Sequence, residues 1–331
     1  MKQLALSTLA ILSTASAQHV LAADYGALPD FRLAYSDQWA PEEGDPLSFE
    51  TGVRYWYSIG KQEHSRGPDS QTMETKTHSG EVFARVNDAS TNSFVEAFGG
   101  YGVAHEGTFS TNGGASKTLP AARLGYAGLD FAWMPLGNDT VHFGMITGYQ
   151  YTNDSPDTGR ANFSTARSAG QLINNGGVWQ LSGGDSEINN FEIHNLKLGV
   201  AGKFDAGAFD IFGEAAAIPY SWVTGTYGAY QAQDYLATHA QASAVSINGH
   251  GYGASGKLMV GFRPTENLSI RVGGRASYLT GQYDVTWDEV AVTQPVAPST
   301  TPTLSRQTFI SNNNPFSMLR YGALLEVSGS F

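Results

Sequence analysis

The last fifteen residues of the chain, Ser317 to Phe331, alternate in character with a period of two. Counted back from the terminus, Phe331, Gly329, Val327, Leu325, Ala323, Tyr321 and Leu319 fall on one face. Ser330, Ser328, Glu326, Leu324, Gly322, Arg320 and Met318 fall on the other. Successive side chains of a β-strand point to opposite faces, so this period predicts a strand. One face is apolar and aromatic towards each end, and the other is mostly polar and carries both signs of charge. A tilted strand crosses a bilayer in about 9–11 residues, and the segment is long enough to do so. The pattern fits a wall with lipid on one side and polar groups on the other, an ordinary edge strand being the plainer alternative.

Residues 48–58, 81–88, 93–103, 121–135, 140–152, 191–204, 207–221, 252–263 and 268–280 read the same way. The clearest is 140–152, where Val141, Phe143, Met145, Thr147, Tyr149 and Tyr151 oppose His142, Gly144, Ile146, Gly148 and Gln150. Pro219 lacks a ladder donor and predicts a bulge near the far end of 207–221. The connections alternate in length. Those at 89–92, 136–139, 205–206 and 264–267 are short and carry turn chemistry such as Gly137-Asn138-Asp139, whereas 59–80, 104–120, 153–190, 222–251 and 281–316 are long. A soluble sandwich has no reason to sort its loops by length onto one end. The expected fold is all-β, a transmembrane antiparallel up-and-down β-barrel of ten strands with short periplasmic turns and long extracellular loops. A hairpin around Asn174-Asn175-Gly176-Gly177, or one within 222–251, would raise the count to twelve if it joined the wall.

The aromatic residues support this placement. Tyr55, Tyr57, Tyr149, Tyr151, Tyr252, Tyr278 and Tyr321 lie beside the long connections, and Trp133, Phe204, Phe209, Phe262 and Phe331 beside the short turns or the terminus. Two such girdles suit the two bilayer interfaces. Composition agrees, with 39 Gly, 16 Tyr, 17 Phe, no Cys and only 15% charged residues. No apolar run approaches the roughly 18 residues of a membrane-spanning helix.

On its loop layout and its terminal strand ending in Phe331, the chain resembles the Gram-negative outer-membrane β-barrel superfamily over nearly all of residues 48–331. That superfamily includes the porin-like and OmpA-like barrels. The opening Gly52-Val53-Arg54-Tyr55-Trp56-Tyr57 is similar to uncharacterised alphaproteobacterial members. The resemblance implies an outer-membrane location, with outer-membrane lipid and lipopolysaccharide around the barrel. It also implies that the last strand, with Tyr321, Leu325, Val327 and Phe331 outward, is the signal read by the barrel assembly machinery after delivery by periplasmic chaperones.

At the N-terminus, Lys2 precedes the apolar run Leu4–Leu12 and then Ala15-Ser16-Ala17, a small-x-small pattern typical of a secretory signal peptide. Cleavage after Ala17 or after Ala22 fits equally, so residues 1–22 are assigned to the signal. Residues 23–47, with Pro29, Pro41 and Pro46, read as a periplasmic segment, and 48–331 as the barrel. The formal net charge is −11 and no Lys/Arg cluster stands out, so nucleic acid is not an expected partner.

The parity that turns apolar residues outward turns charged ones inward. The expected lumen network comprises Glu50, Arg54, Arg85, Glu96, Asp130, Asp210, Glu214, Lys257, Arg271, Arg275, Arg320 and Glu326, with Lys197, Lys203 and Arg263 as further bases. This leaves a slight positive excess. Ten strands imply a narrow lumen, because width grows with strand number. Acids and bases there pair across it, aided by Trp56, Phe94 and Phe98, since isolated buried charges are costly. The expected function is a structural, surface-exposed envelope protein with a narrow charge-lined lumen. One alternative is a small porin-like channel. Another is a rim-located hydrolase like the omptin proteases, for which Glu192-Ile193-His194 is the nearest match. His142 lies inward near a turn without a serine motif, and His64, His78, His105, His239 and His250 show no metal-ligand spacing. No cofactor or metal is expected. The loops, with Trp179, Tyr227, Tyr230 and Trp287, suit an extracellular ligand without specifying one.

Overall fold

The computed structural model describes residues 46–66, 69–157, 172–181, 190–227, 239–241 and 245–331. The expected signal peptide and all but the last residues of the expected periplasmic segment lie outside these, as does Tyr230. The strands are β1 Leu47–Arg66, β2 Asp69–Asp88, β3 Ser93–Thr111, β4 Lys117–Thr118, β5 Ala121–Gly137, β6 Val141–Asp157 and β7 Leu172–Asn175. They continue with β8 Val178–Leu181, β9 Asn190–Ala206, β10 Phe209–Tyr227, β11 His239–Gln241, β12 Val245–Thr265, β13 Leu268–Thr293 and β14 Thr303–Ser330. All but β7 and β8 belong to one antiparallel sheet. Its ten long strands pair in chain order, and β14 pairs with both β13 and β1.

The turn chemistry explains the short ends. Between β2 and β3 the Asp88 carboxylate accepts from the Ser90 backbone N–H at 2.8 Å and from the Ser90 and Thr91 hydroxyls at 2.6 and 2.8 Å. Between β5 and β6 the Asn138 side chain accepts from the N–H groups of Thr140 and Val141 at 3.0 Å each. Between β9 and β10, Asp205 accepts from Gly207 N–H at 3.2 Å, and Gly207 takes φ 74°, a conformation that favours glycine.

The two faces of the sheet invert the usual order. Val53, Leu129, Phe143, Met145, Leu198, Val200, Leu258 and Val272 are all half exposed or more, while Glu50, Arg54, Glu96, Asp130, Asp210 and Glu326 are buried. An apolar exposed face on strand after strand far exceeds the patch a soluble monomer shows.

Pro219 does produce a bulge. The β10 register shifts between Ile218 and Ser221 against β12, and between Ala217 and Tyr220 against β9. Before it the odd positions Phe209 and Ile211 are exposed; after it the even positions Tyr220 and Trp222 are. The bulge therefore hands the outer face from one parity to the other.

Two expectations are corrected. The connections 59–80 and 281–316 are largely strand: β1 and β2 occupy most of 59–80, and β13 and β14 run on to Thr293 and from Thr303. The apolar/polar alternation fades there because the outer face turns polar, as at Lys61, Glu63, Glu74 and Lys76, while the backbone still gains by pairing. Secondly, the hairpin β7–β8 pairs only with itself. It is tied to the chain after β13 by Trp179 N–H to Gln294 Oε1 at 2.9 Å and Gln294 Nε2 to Trp179 O at 2.7 Å. From the 222–251 region, β11 adds three residues to the far part of β13. Neither enters between two long strands.

Candidate functional site

The middle of the buried face is an ion network drawn from nine strands. Arg54 of β1 donates to Glu326 of β14 at 2.5 Å, to Glu81 of β2 at 2.7 Å and to both oxygens of Glu96 of β3 at 3.0 and 2.8 Å. Arg271 of β13 donates to Glu50 and Glu326 at 2.6 Å each and to Asp210 of β10 at 3.2 Å. Arg85 joins Glu50 at 2.9 Å to Glu96 at 2.5 Å. Lys197 of β9 bridges Asp130 of β5 and Glu214 of β10 at 2.8 and 3.0 Å, and Lys257 of β12 approaches Glu214 at 3.4 Å and Glu96 at 3.9 Å. Arg275 donates to Glu81 at 3.1 Å and lies 3.8 Å from the Trp56 ring centroid. Removing a charge from water costs several kcal/mol, so such groups persist only with multiple partners. Here most have two or three.

Arg320 stands apart, nearer the long-loop end. It binds both oxygens of Asp154 at 2.8 and 2.7 Å, with Ser58 and Thr75 at 3.0 and 3.1 Å. Gly60 makes room for it, since a Cβ there would stand 2.5 Å from Arg320 Nη2.

All twelve residues expected in the network lie on the buried face. Glu81, Asp154 and Asp205 were not expected as partners. Glu81 shares the parity of Phe83 and Arg85 but begins the periodic stretch 81–88, and Asp154 lies in the long connection 153–190. With these acids, the ion pairs of this face and its turn-side mouth join nine carboxylates to nine cations among the described residues, and these show no positive excess.

Towards the long-loop end the interior becomes apolar. Phe191, Ile193, Ile218, Val223, Val245, Ile247, Leu279, Tyr283, Val285, Phe316 and Met318 form one buried cluster against which Trp287 packs. His64 is buried beside it, stacked on Phe191 at 4.9 Å and 11° and near Tyr283 and Phe316 at 6.0 and 6.4 Å between centroids. Its Nε2 is 3.2 Å from Gln62 Oε1, and burial pulls the imidazole down to about 3. At the turn end a cavity of about 330 Å³ is lined by Glu50, Arg85, His142, Lys203, Asp205 and Arg271 among others. Further in are voids of about 40 and 50 Å³, both bordered by Trp56, Gln150 and Ser277. Each has space for one or two waters at about 30 Å³ apiece.

The candidate rim dyad is elsewhere. Glu192 and His194 share the parity of exposed Leu196 and Leu198 and point away from the interior. His194 Nδ1 lies 2.6 Å from the Tyr149 hydroxyl, and its ring packs 5.5 Å from Trp222. Tyr55, Trp133, Tyr149, Phe204, Phe262 and Tyr278 are exposed on the outer face, Tyr57 and Tyr151 partly so. Tyr321, Leu325, Val327 and Phe331 are also exposed.

No family model matches the sequence, and no curated protein matches it. Among solved structures, the outer membrane protease OmpT of Escherichia coli matches with a TM-score of 0.55 at 10% identity, over 87% of this chain and 98% of that one. The translocator domain of the autotransporter NalP from Neisseria meningitidis matches at 0.31 and 13% identity, over 96% and 98%. The toluene transporter TodX of Pseudomonas putida matches at 0.28 and 9%, over 86% and 89%. The likeness to OmpT is one of fold, and the chain has an all-β fold of the outer-membrane type.

Proposed function

We propose that the protein is a closed ten-stranded barrel of the outer membrane whose interior is filled, so that it serves as a structural, surface-exposed component of the envelope. The observation that carries this reading is the sequence of fillings along the buried face. A network of paired charges crosses the middle, and an apolar cluster occupies the long-loop end. The pairing of β14 with both β13 and β1 and the apolar outer face support closure within a bilayer. Residues 1–22 act as the export signal, residues 23–47 form the periplasmic segment, and the outward face of the last strand is the assembly signal.

Two experiments test this. Purified protein in planar bilayers should give no steady single-channel steps; regular steps would establish the porin alternative instead. Deleting Phe331 should reduce heat-modifiable protein in the outer-membrane fraction, and normal recovery of the variant would remove the role given to the terminal strand. A rim hydrolase of the omptin kind receives no support from Glu192 and His194, which face outward.

A further inference from the structure

One cross-strand arrangement occurs three times on the outer face, always towards the long-loop end. In each, two aromatics two residues apart on one strand face a histidine on the next, placed opposite the second aromatic. On β1 and β2 the pair is Tyr57 and His78, on β6 and β9 it is Tyr151 and His194, and on β10 and β12 it is Trp222 and His250. In the first two copies the lower tyrosine reaches up diagonally. The Tyr55 hydroxyl lies 2.5 Å from His78 Nδ1, and the Tyr149 hydroxyl 2.6 Å from His194 Nδ1. Trp222 also pairs with His194, so the second and third copies form one continuous row over four strands. The third copy exists only because the bulge at Pro219 turns Trp222 outward.

The opposite girdle is chemically different. Trp133, Phe204, Phe209 and Phe262 are exposed there, and among the described residues its outer face carries no histidine. On β9 the two levels, Phe204 and His194, are about ten residues apart, or roughly 25 Å of height at 3.3 Å per residue and a 40° tilt. That is one hydrocarbon thickness.

We propose that the three histidines form a belt that binds the phosphate groups of lipids in the leaflet on the long-loop side; this rests on the barrel reading above. At His78 and His194, a tyrosine hydroxyl that donates to Nδ1 leaves the imidazole proton on Nε2, available to a phosphate oxygen; His250 joins them by its place in the row. The flanking rings hold the imidazoles of His78 and His194 and cover the acyl–headgroup boundary. Glu192, the carboxylate two residues from His194, is taken up by Asn190 Nδ2 at 3.0 Å. A purely steric girdle needs no donors, as the phenylalanines at the other end illustrate. Three donor sites at one level fit a lipid leaflet and not a single free anion.

The test is native mass spectrometry of the full-length protein released from nanodiscs of phosphatidylglycerol mixed with a phosphate-free glycolipid. The wild type should retain phosphatidylglycerol in preference. Each of H78A, H194A and H250A should lower that preference by up to about tenfold, the worth of one hydrogen bond to a charged group. Millimolar inorganic phosphate should not compete, and if it strips the lipid the belt is an anion site and the proposal falls. An unchanged preference in the triple variant also overturns it. Should the triple variant lose heat-modifiability, Tyr55→Phe with Tyr149→Phe replaces it, and unchanged preference there has the same force. Recovery of the wild type in the soluble fraction would instead refute the barrel reading itself.

Discussion

Arg54 is held by carboxylates from three other strands, Glu81, Glu96 and Glu326, each of which is buried. Substituting Met keeps much of the volume but strands three acids with fewer partners. The expected cost is about 3–5 kcal/mol, read as a lower unfolding midpoint by gel shift, and an unchanged midpoint would mean that the acids relax elsewhere. His64 gives a pH signature. Its folded value is about 3 against an ordinary 6.5, so the folded chain holds the ring neutral where the unfolded chain protonates it. The neutral ring's contribution is complete above pH 6.5 and declines as pH falls from 6.5 towards 3, by up to about 1.4 kcal/mol per unit. His64→Phe should flatten the difference in stability between pH 7 and pH 4.5, and equal pH dependence in both proteins would count against it. Arg54 was legible because it sits inside a clean alternation. Glu81 and His64 were not, since a residue at a strand end or beyond the apolar band has no periodic neighbours to fix its face.

At the level of elements, the ten stretches and their short turns were readable because outward apolar residues and Asp, Asn or Gly at turns leave strong local marks. The far halves of the strands were not, because there the outer face loses its apolar period while the ladder continues. The bulge in β10 sits between these cases. Proline announced it, but the resulting change of parity, and with it the outward Tyr220 and Trp222, needed the register. Deleting Pro219 should remove the one extra residue of β10 and restore a simple ladder, with Tyr220 and Trp222 still outward and Ile218 and Val223 still inward. The expected result is heat-modifiable protein at close to wild-type yield with native tryptophan fluorescence. A sharp loss of that protein would show that the strand needs the bulge for more than its register.

For the whole molecule, the interior has two fillings in series, one ionic and one apolar, built from different residues. Opening one should leave the other closed. Phe191→Ala with Phe316→Ala should therefore remain silent in planar bilayers, and steady current from that variant would show that the ion network leaks. The pairing of β1 with β14 has a further consequence, in time. Ser328 Oγ bonds Glu50 across 278 positions of sequence, and the ladder around it joins the first strand to the last. Contacts so distant along the chain form late and slowly, because the loop between them must be closed before they reward it. Until then β1 presents a bare edge able to capture any strand it meets. The newly made chain thus waits with its first half unsealed, and the rate at which its final residues arrive sets how long that hazard lasts.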